Sequence, residues 1–454
     1  MLALLLLAIS AQDLIPMRWA SGDPKSLEIL KDTPVNCVLV ERSNWNAPLL
    51  KAAADAKIQV LGVVRPAADA LEAAQKASAL QLPGVVMEGD FDAKTGDKLR
   101  KMLADSRRLV VELPARSHMR LNDPAPVVGT WQGVWPGIQI DEGGTTKSAP
   151  SGAPWINTNT GFLRFVRATT DARVWIGNAP PKNTVVLPER YMQVIADAEM
   201  NGARWVIALD EKFNSKLLER DPTALRDWKR IMQQLAFYES HTEWRNLKIA
   251  GELALVQDED SGALLSGGVL DMIAVKHTPV RPVPTKKLSD ARMADSKMAV
   301  DVDANSLTPE QKDVLARFTR GGGRLLTGPP GWKFPAPEGE QITLGDKDIK
   351  VLDEIWKEMN SMTGRTNLGA RLFNVSSMLS NLLTTADRKT TVLHLVNYAD
   401  YPVENVTVHM LGKFKTARLL APGAEPKQIP LYDVEEGTGV DIDKVAVSAT
   451  LVLE

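Results

Sequence analysis

Short apolar runs alternate with amphipathic stretches along the first 240 residues of the chain. Eight runs, Met17–Ala20, Cys37–Val40, Gln59–Val64, Gly84–Met87, Leu109–Leu113, Val127–Trp131, Val174–Gly177 and Trp205–Leu209, are near-continuously apolar, as strands buried on both faces are. Pro48–Ala56, Ala68–Leu80, Lys94–Asp105, Pro188–Asn201 and Thr223–Tyr238 read as helices between or after them. This alternation predicts parallel strands joined by crossover helices. Eight such units in about 230 residues have the size of a compact (β/α)8 barrel, of the TIM type. A doubly wound open sheet accounts for the same pattern, because strand order is not written in the sequence.

The pattern then changes twice. Glu252–Gln257, Pro279–Val283, Lys297–Val302 and Arg324–Thr327 read as strands, with Leu264–Lys276 and Thr308–Thr319 as helices between them. The second helix is well marked, with Ser306 or Thr308 as cap, Pro309 in its first turn and three glycines from Gly321 as its stop. Four strands in so short a span predict a small flavodoxin-like domain. After a helical stretch at Ile349–Met359, the runs Thr391–Asn397, Val403–Leu411, Ala417–Leu420 and Val445–Leu453 alternate apolar and polar positions. Such alternation predicts antiparallel strands and a β-sandwich. The expected division is a leader at 1–11, the barrel at 12–247, the flavodoxin-like domain at 248–335 and the sandwich at 345–454.

Two stretches carry a resemblance. One runs from Lys297-Met-Ala-Val-Asp-Val-Asp-Ala-Asn-Ser-Leu-Thr-Pro-Glu-Gln through Phe318-Thr-Arg-Gly-Gly-Gly-Arg-Leu-Leu-Thr-Gly; the other is His394-Leu-Val-Asn-Tyr-Ala-Asp with Val406-Thr-Val-His-Met-Leu. In their order along the chain they resemble multidomain glycoside hydrolases of the family 42 β-galactosidase type. That layout has a barrel, a trimerisation domain similar to class I glutamine amidotransferases, and a small β-domain. The resemblance implies this architecture, with a homo-oligomer through the middle domain, and does not specify the reaction. The expected activity, hydrolysis of glycosidic bonds of oligo- or polysaccharides by a pair of carboxylates at the barrel mouth with a carbohydrate substrate and no cofactor, rests on the residues considered below. The family's Asn-Glu acid/base motif is not found, so no catalytic residue is carried over from it. Amidotransferases of the middle fold use a cysteine nucleophile, and the only cysteine, Cys37, lies in another domain, so glutaminase chemistry is excluded.

Composition narrows the picture. With 54 basic against 56 acidic residues and a net charge of −2, the chain lacks the basic surplus that nucleic-acid binding leaves. The run Leu2–Ile9, followed by small residues, matches the core of a signal peptide and predicts export, to the periplasm or beyond. It is too short to span a bilayer, which takes about 20 apolar residues; the alternative is a buried first strand. Of the 11 tryptophans, Trp19, Trp45, Trp131, Trp135, Trp155 and Trp175 all precede residue 180. Function is therefore sought in the first domain.

In a (β/α)8 barrel the chemistry gathers at the C-terminal strand ends. Just past the predicted strands stand Glu41 and Arg42; Arg65; Glu88 and Asp90; Glu112, Arg116 and His118; Asp141 and Glu142; Asn178 and Lys182; and Asp210, Glu211 and Lys212. The set is rich in carboxylates, and no histidine spacing suits a metal site. The segment Gly129-Thr-Trp-Gln-Gly-Val-Trp-Pro-Gly-Ile-Gln-Ile-Asp-Glu-Gly-Gly, continuing to Ser151-Gly-Ala-Pro-Trp-Ile-Asn-Thr-Asn, joins three indoles to amides and a carboxylate pair. Indole faces stack on sugar rings while amides and carboxylates take the hydroxyls. Trp131, Trp135, Asp141, Trp155 and Asn157, with Asp90, Glu112, Arg116 and Glu211, are the candidate substrate contacts; the alternative is that the tryptophans pack the loop and the acids are solvated. Glycoside hydrolysis needs two carboxyl groups in different protonation states; Glu142 and Asp210 are the favoured pair of acid and nucleophile or base, with Glu88 as a further candidate. For Asp210 a helix cap or ion pair, and for Asp90 a cap, are the structural alternatives. A non-catalytic carbohydrate-binding protein on a degenerate barrel, or a structural subunit assembled through the middle domain, competes with the enzyme.

Overall fold

In the computed structural model of the chain, residues 10–122, 124–136, 138–140, 146–148, 158–258, 278–302, 305–328, 346–375 and 377–454 are described. The chain is a mixed α/β protein with parallel sheets and a C-terminal antiparallel region. Packing divides it into two compact units. The first holds Met1–Gly133, Ala172–Val185 and Ala203–Trp228; the second holds Val134–Asp171, Val186–Gly202 and Lys229–Glu454.

Seven of the eight strands anticipated in the first half form in the first unit within one residue of the expected bounds, and the eighth, expected at Trp205–Leu209, forms instead at Ala203–Trp205. They are β1 (Pro16–Trp19), β2 (Cys37–Val40), β3 (Gln59–Val64), β4 (Gly84–Glu88), β5 (Leu109–Leu113), β6 (Val127–Thr130) and, after a hairpin β7 (Ile138–Ile140) and β8 (Thr146–Ser148) of the second unit, β9 (Arg173–Ile176) and β10 (Ala203–Trp205). Strands β1 to β5 form one parallel sheet in sequence order, and β6, β9 and β10 form another. The edges of these sheets exchange hydrogen bonds. Trp131 N donates to Pro114 O at 3.4 Å, Arg18 N to Ile207 O at 2.7 Å and Ile207 N to Pro16 O at 3.2 Å. Met17 and Ile207 pair as a parallel bridge.

One apolar cluster joins residues from these strands or their flanks: Leu14, Cys37, Leu39, Leu61, Val63, Val86, Val111, Leu113, Val127, Trp175 and Val206. Burial pushes the Cys37 thiol well above its ordinary range, as expected for a packing residue. Crossover helices start where side chains accept otherwise unpaired backbone N–H groups. Asn46 caps Ala47–Asp55 and Asp92 caps Ala93–Asp105.

The second unit holds the rest. After the two-residue β11 (Lys248–Ile249), β12 (Leu253–Gln257), β13 (Val280–Pro284), β14 (Met298–Asp301) and β15 (Arg324–Thr327) make a parallel sheet in the order β13-β12-β14-β15. The helix Pro309–Arg320 opens with a full capping box between Thr308 and Gln311 and ends at the glycines. The helix anticipated at 264–276 lies outside the described residues. The antiparallel region contains β16 (Ala370–Phe373), β17 (Met378–Thr384), β18 (Thr391–Asn397), β19 (Val403–Leu411), β20 (Ala417–Leu420), β21 (Lys427–Gln428), β22 (Tyr432–Val434), β23 (Gly437–Val445) and β24 (Ser448–Leu453). They form two sheets, β11-β17-β18-β24-β20-β21 and β16-β19-β23-β22, whose inward residues share one hydrophobic cluster. The single strand expected at Val445–Leu453 is the end of β23, a turn and β24. Val445-Ala-Val-Ser carries no Gly or Pro to mark that turn.

Gly129 tests how tightly the first unit is packed. A Cβ there would lie 2.4 Å from Leu113 Cδ2 and 2.5 Å from Trp175 O, between β5 and β9. Gly129→Ala is expected to destabilise the protein by roughly 1–3 kcal/mol, the usual cost of overpacking, read as a lower melting temperature. An unchanged melting temperature would contradict this packing.

Candidate functional site

Because β1 to β5 are parallel, their C-terminal ends lie along one edge of the sheet, and four of them deliver charge to it. Arg18 lies within β1, Glu41 just past β2, Arg65 just past β3, and Glu88 closes β4. Strand β4 stops there because Gly89 takes φ +104°, where a Cβ would also meet Pro66 Cδ at 2.9 Å. Glu88 is 8 % exposed. Its Oε2 accepts from Arg18 Nη2, and its Oε1 accepts from Arg65 Nη2 at 2.9 Å and Nε at 3.1 Å. Arg65 also donates to both oxygens of Glu41, at 2.6 and 2.7 Å.

Two guanidiniums and two carboxylates thus form one continuous network. Burial pushes the Glu88 carboxyl up, but the charges and hydrogen bonds of Arg18 and Arg65 more than offset this and hold it below the usual carboxylate range. The hydrogen bonds that Arg65 donates to Glu41, with the nearby charges of Glu88 and Glu41, hold Arg65 firmly protonated against partial burial. Glu88 is therefore an anion at neutral pH. It suits a nucleophile, a base or the electrostatic stabilisation of developing positive charge, and cannot donate a proton.

The other candidates are spread around this cluster. Asp90 accepts from Ala115 N at 3.0 Å and pairs with His118 Nδ1 at 3.1 Å, both side chains being exposed. Arg116 is buried; its N and Nε donate to Gln132 Oε1 and Gln132 O, each at 2.8 Å. Glu112 pairs with Arg100 of the helix Ala93–Asp105 at 2.7 Å and with Arg120 at 2.6 Å, whereas its neighbours Val111 and Leu113 enter the apolar core. Asp210 is 3 % exposed and caps the helix Glu211–Leu218, accepting from Phe213 N at 2.9 Å; Glu211 is exposed in that helix's first turn. Arg42 pairs with Asp69 and Glu72, both at 2.5 Å.

Trp131 packs on the apolar core of the first unit. Trp135, in the second unit, is buried edge-on against Tyr191, with ring centroids 5.4 Å apart. Asp141, Glu142, Trp155 and Asn157 lie outside the described residues. Sequence reasoning missed Arg18, whose only signal is a charge inside the otherwise apolar run Met17–Ala20. Among the described residues, no group of three or more His, Cys, Asp and Glu side chains could hold a metal, and no helix is long and apolar enough to cross a membrane.

No protein-family model and no curated protein matches this chain. Solved structures do. α-L-Fucosidase isoenzyme 2 from Paenibacillus thiaminolyticus superposes with a TM-score of 0.59 at 11% identity, over 97% of this chain and 99% of that one. A cold-adapted β-galactosidase from a Rahnella species superposes with a TM-score of 0.52 at 9% identity, over 95% and 98%. The fold is similar to that of these two enzymes. At such identities the likeness speaks for architecture and leaves the chemistry to the residues.

Glu88→Gln removes the anion that two arginines share. Breaking a buried ion pair costs about 3–5 kcal/mol, and the half-exposed Arg65 sets the expectation at the lower end. Glu88 has a depressed pKa in the fold, so its contribution is complete above the unfolded value of about 4.3 and disappears as pH falls through the lower folded value. Melting curves of wild type and variant are expected to differ at pH 7 and to converge in acid. Equal melting temperatures at pH 7 would overturn the assignment.

Proposed function

We propose that this is an exported protein that hydrolyses glycosidic bonds of oligo- or polysaccharides at the C-terminal ends of the strands in the first unit. In this proposal β1 to β6, β9 and β10 form a closed (β/α)8 ring. The hydrogen bonds between the sheet edges at Pro114–Trp131 and Arg18–Ile207, and the shared apolar cluster, support closure. The observation that carries the function is Glu88, an anionic carboxylate buried at a strand end and held by two arginines. Keeping an ion there is costly unless it is paired, and a paired carboxylate at that position is preorganised to face an oxocarbenium-like transition state. Glu88 serves as nucleophile or base, and Glu142 as the proton donor. Asp210 keeps its cap and borders the site.

One observation favours the competing reading, a non-catalytic carbohydrate-binding protein. Both described catalytic candidates are already engaged, Glu88 by guanidiniums and Asp210 by a helix N-terminus.

A screen of aryl glycosides and polysaccharides against wild type, Glu142→Gln, Glu88→Gln and Asp210→Asn separates the two. The enzyme reading expects turnover by wild type and a loss of about 10²–10⁴-fold in kcat for Glu142→Gln, the span of general acid catalysis. Sugars that bind without being cleaved, with variants changing only affinity, would establish the binding protein instead.

A further inference from the structure

The outer face of the sheet β16-β19-β23-β22 holds an arrangement that the proposed site does not use. The register sets Arg371 beside His409, His409 beside Gly439 and Gly439 beside Tyr432; in the next row Phe373 lies beside Thr407 and Thr407 beside Asp441. The alternate positions, Leu372, Val406, Val408, Met410, Val440 and Ile442, all face the core, so these rows face outward. A Cβ on Gly439 would lie 2.1–2.7 Å from three ring carbons of Tyr432, so the ring lies against the bare backbone of β23. Tyr432 remains 39 % exposed.

The rings continue across the sheet. His409 stands 6.3 Å from Tyr432, and Phe373 4.6 Å from His409, with the Arg371 guanidinium 5.4 Å from the Phe373 ring centroid. Asp441 Oδ1 accepts from Tyr432 OH at 3.2 Å and from Thr407 Oγ1 at 2.7 Å, and Asp441 is itself exposed.

We propose that this face, centred on Tyr432 and Asp441, is a glycan-binding surface on the antiparallel region, separate from the strand-end site. A ring laid on the sheet has one face left for the C–H face of a sugar. The exposed carboxylate beside it has acceptor capacity for hydroxyl groups, and the neighbouring guanidinium supplies donors. A second copy of the chain fits poorly. Three partly covered rings offer on the order of 200–300 Å² of apolar surface, against about 800 Å² per partner in a stable interface. The choice of a glycan rests on the proposed glycosidase function; the geometry of the face does not.

Electrophoresis of the full chain through native gels containing galactan, xyloglucan or starch tests the proposal. Wild type is expected to be retarded by at least one polymer. Tyr432→Ala is expected to weaken that retardation about tenfold, and Tyr432→Phe, which keeps the ring, to stay within about threefold of wild type. Asp441→Ala, which leaves the ring in place, weakens retardation as well and carries the test if Tyr432→Ala fails to fold. The proposal is overturned if no polymer retards wild type, if the variants run as wild type in every gel, or if light scattering finds a doubled mass that Tyr432→Ala abolishes. Aryl-glycoside turnover is read in parallel and is expected to be unchanged in Tyr432→Ala. Turnover without retardation would sink the surface and leave the proposed activity standing. Tyr432-dependent retardation without turnover would do the reverse.

Discussion

Burial of both faces of the parallel strands is the constraint on which the first unit depends. Backbone N–H and C=O groups of β1 to β6, β9 and β10 pair between neighbouring strands, because most residues of these strands are buried and little water reaches them. Every inward side chain must also fit one shared interior. Leu39, Val63, Val86, Leu113 and Trp175 fill that interior. Gly129 leaves it just enough room. The polar chemistry is confined in consequence to the strand ends, where the chain first leaves the apolar cluster.

The arginine-held Glu88 follows from that confinement. A carboxylate closing β4 cannot be fully solvated, and Arg18 and Arg65 replace its lost hydration with fixed charge. The arrangement selects a protonation state as well as a position. It makes Glu88 a permanent anion and moves the search for a proton donor to another residue. Carbohydrate chemistry needs such a division between an ionised and a protonated carboxyl.

Much of the fold was legible because parallel buried strands announce themselves as near-continuous apolar runs. Cys37–Val40, Gln59–Val64 and Leu109–Leu113 match the observed bounds residue for residue. Strand β23 was not legible, since Gly437-Thr-Gly-Val-Asp-Ile-Asp-Lys-Val opens on glycines and turns charged residues to solvent. The site was read less fully than the fold. Glu88 and Arg65 stood out at strand ends, but Arg18 lay hidden inside a strand, and its pairing with a residue 70 positions away leaves no local signal. Glu112 was legible as a carboxylate near a strand end but not in its direction. Its place in the period-two alternation turns it toward Arg100 and away from the interior. Tryptophan usage marked the first half, yet Trp19, Trp45, Trp175 and Trp205 are all buried and serve packing.

The most direct measurement is a crystal structure of the full chain with an oligosaccharide product bound. The account expects a sugar ring over the strand ends, within hydrogen-bond reach of Glu88 or Arg65, and a second carboxyl at about 5 Å or about 6.5–9.5 Å from Glu88, the separations of retaining and inverting hydrolysis. Sugar bound only away from those strand ends, or no carboxyl other than Glu41, which Arg65 already holds as an ion pair, within about 10 Å of Glu88, would contradict it.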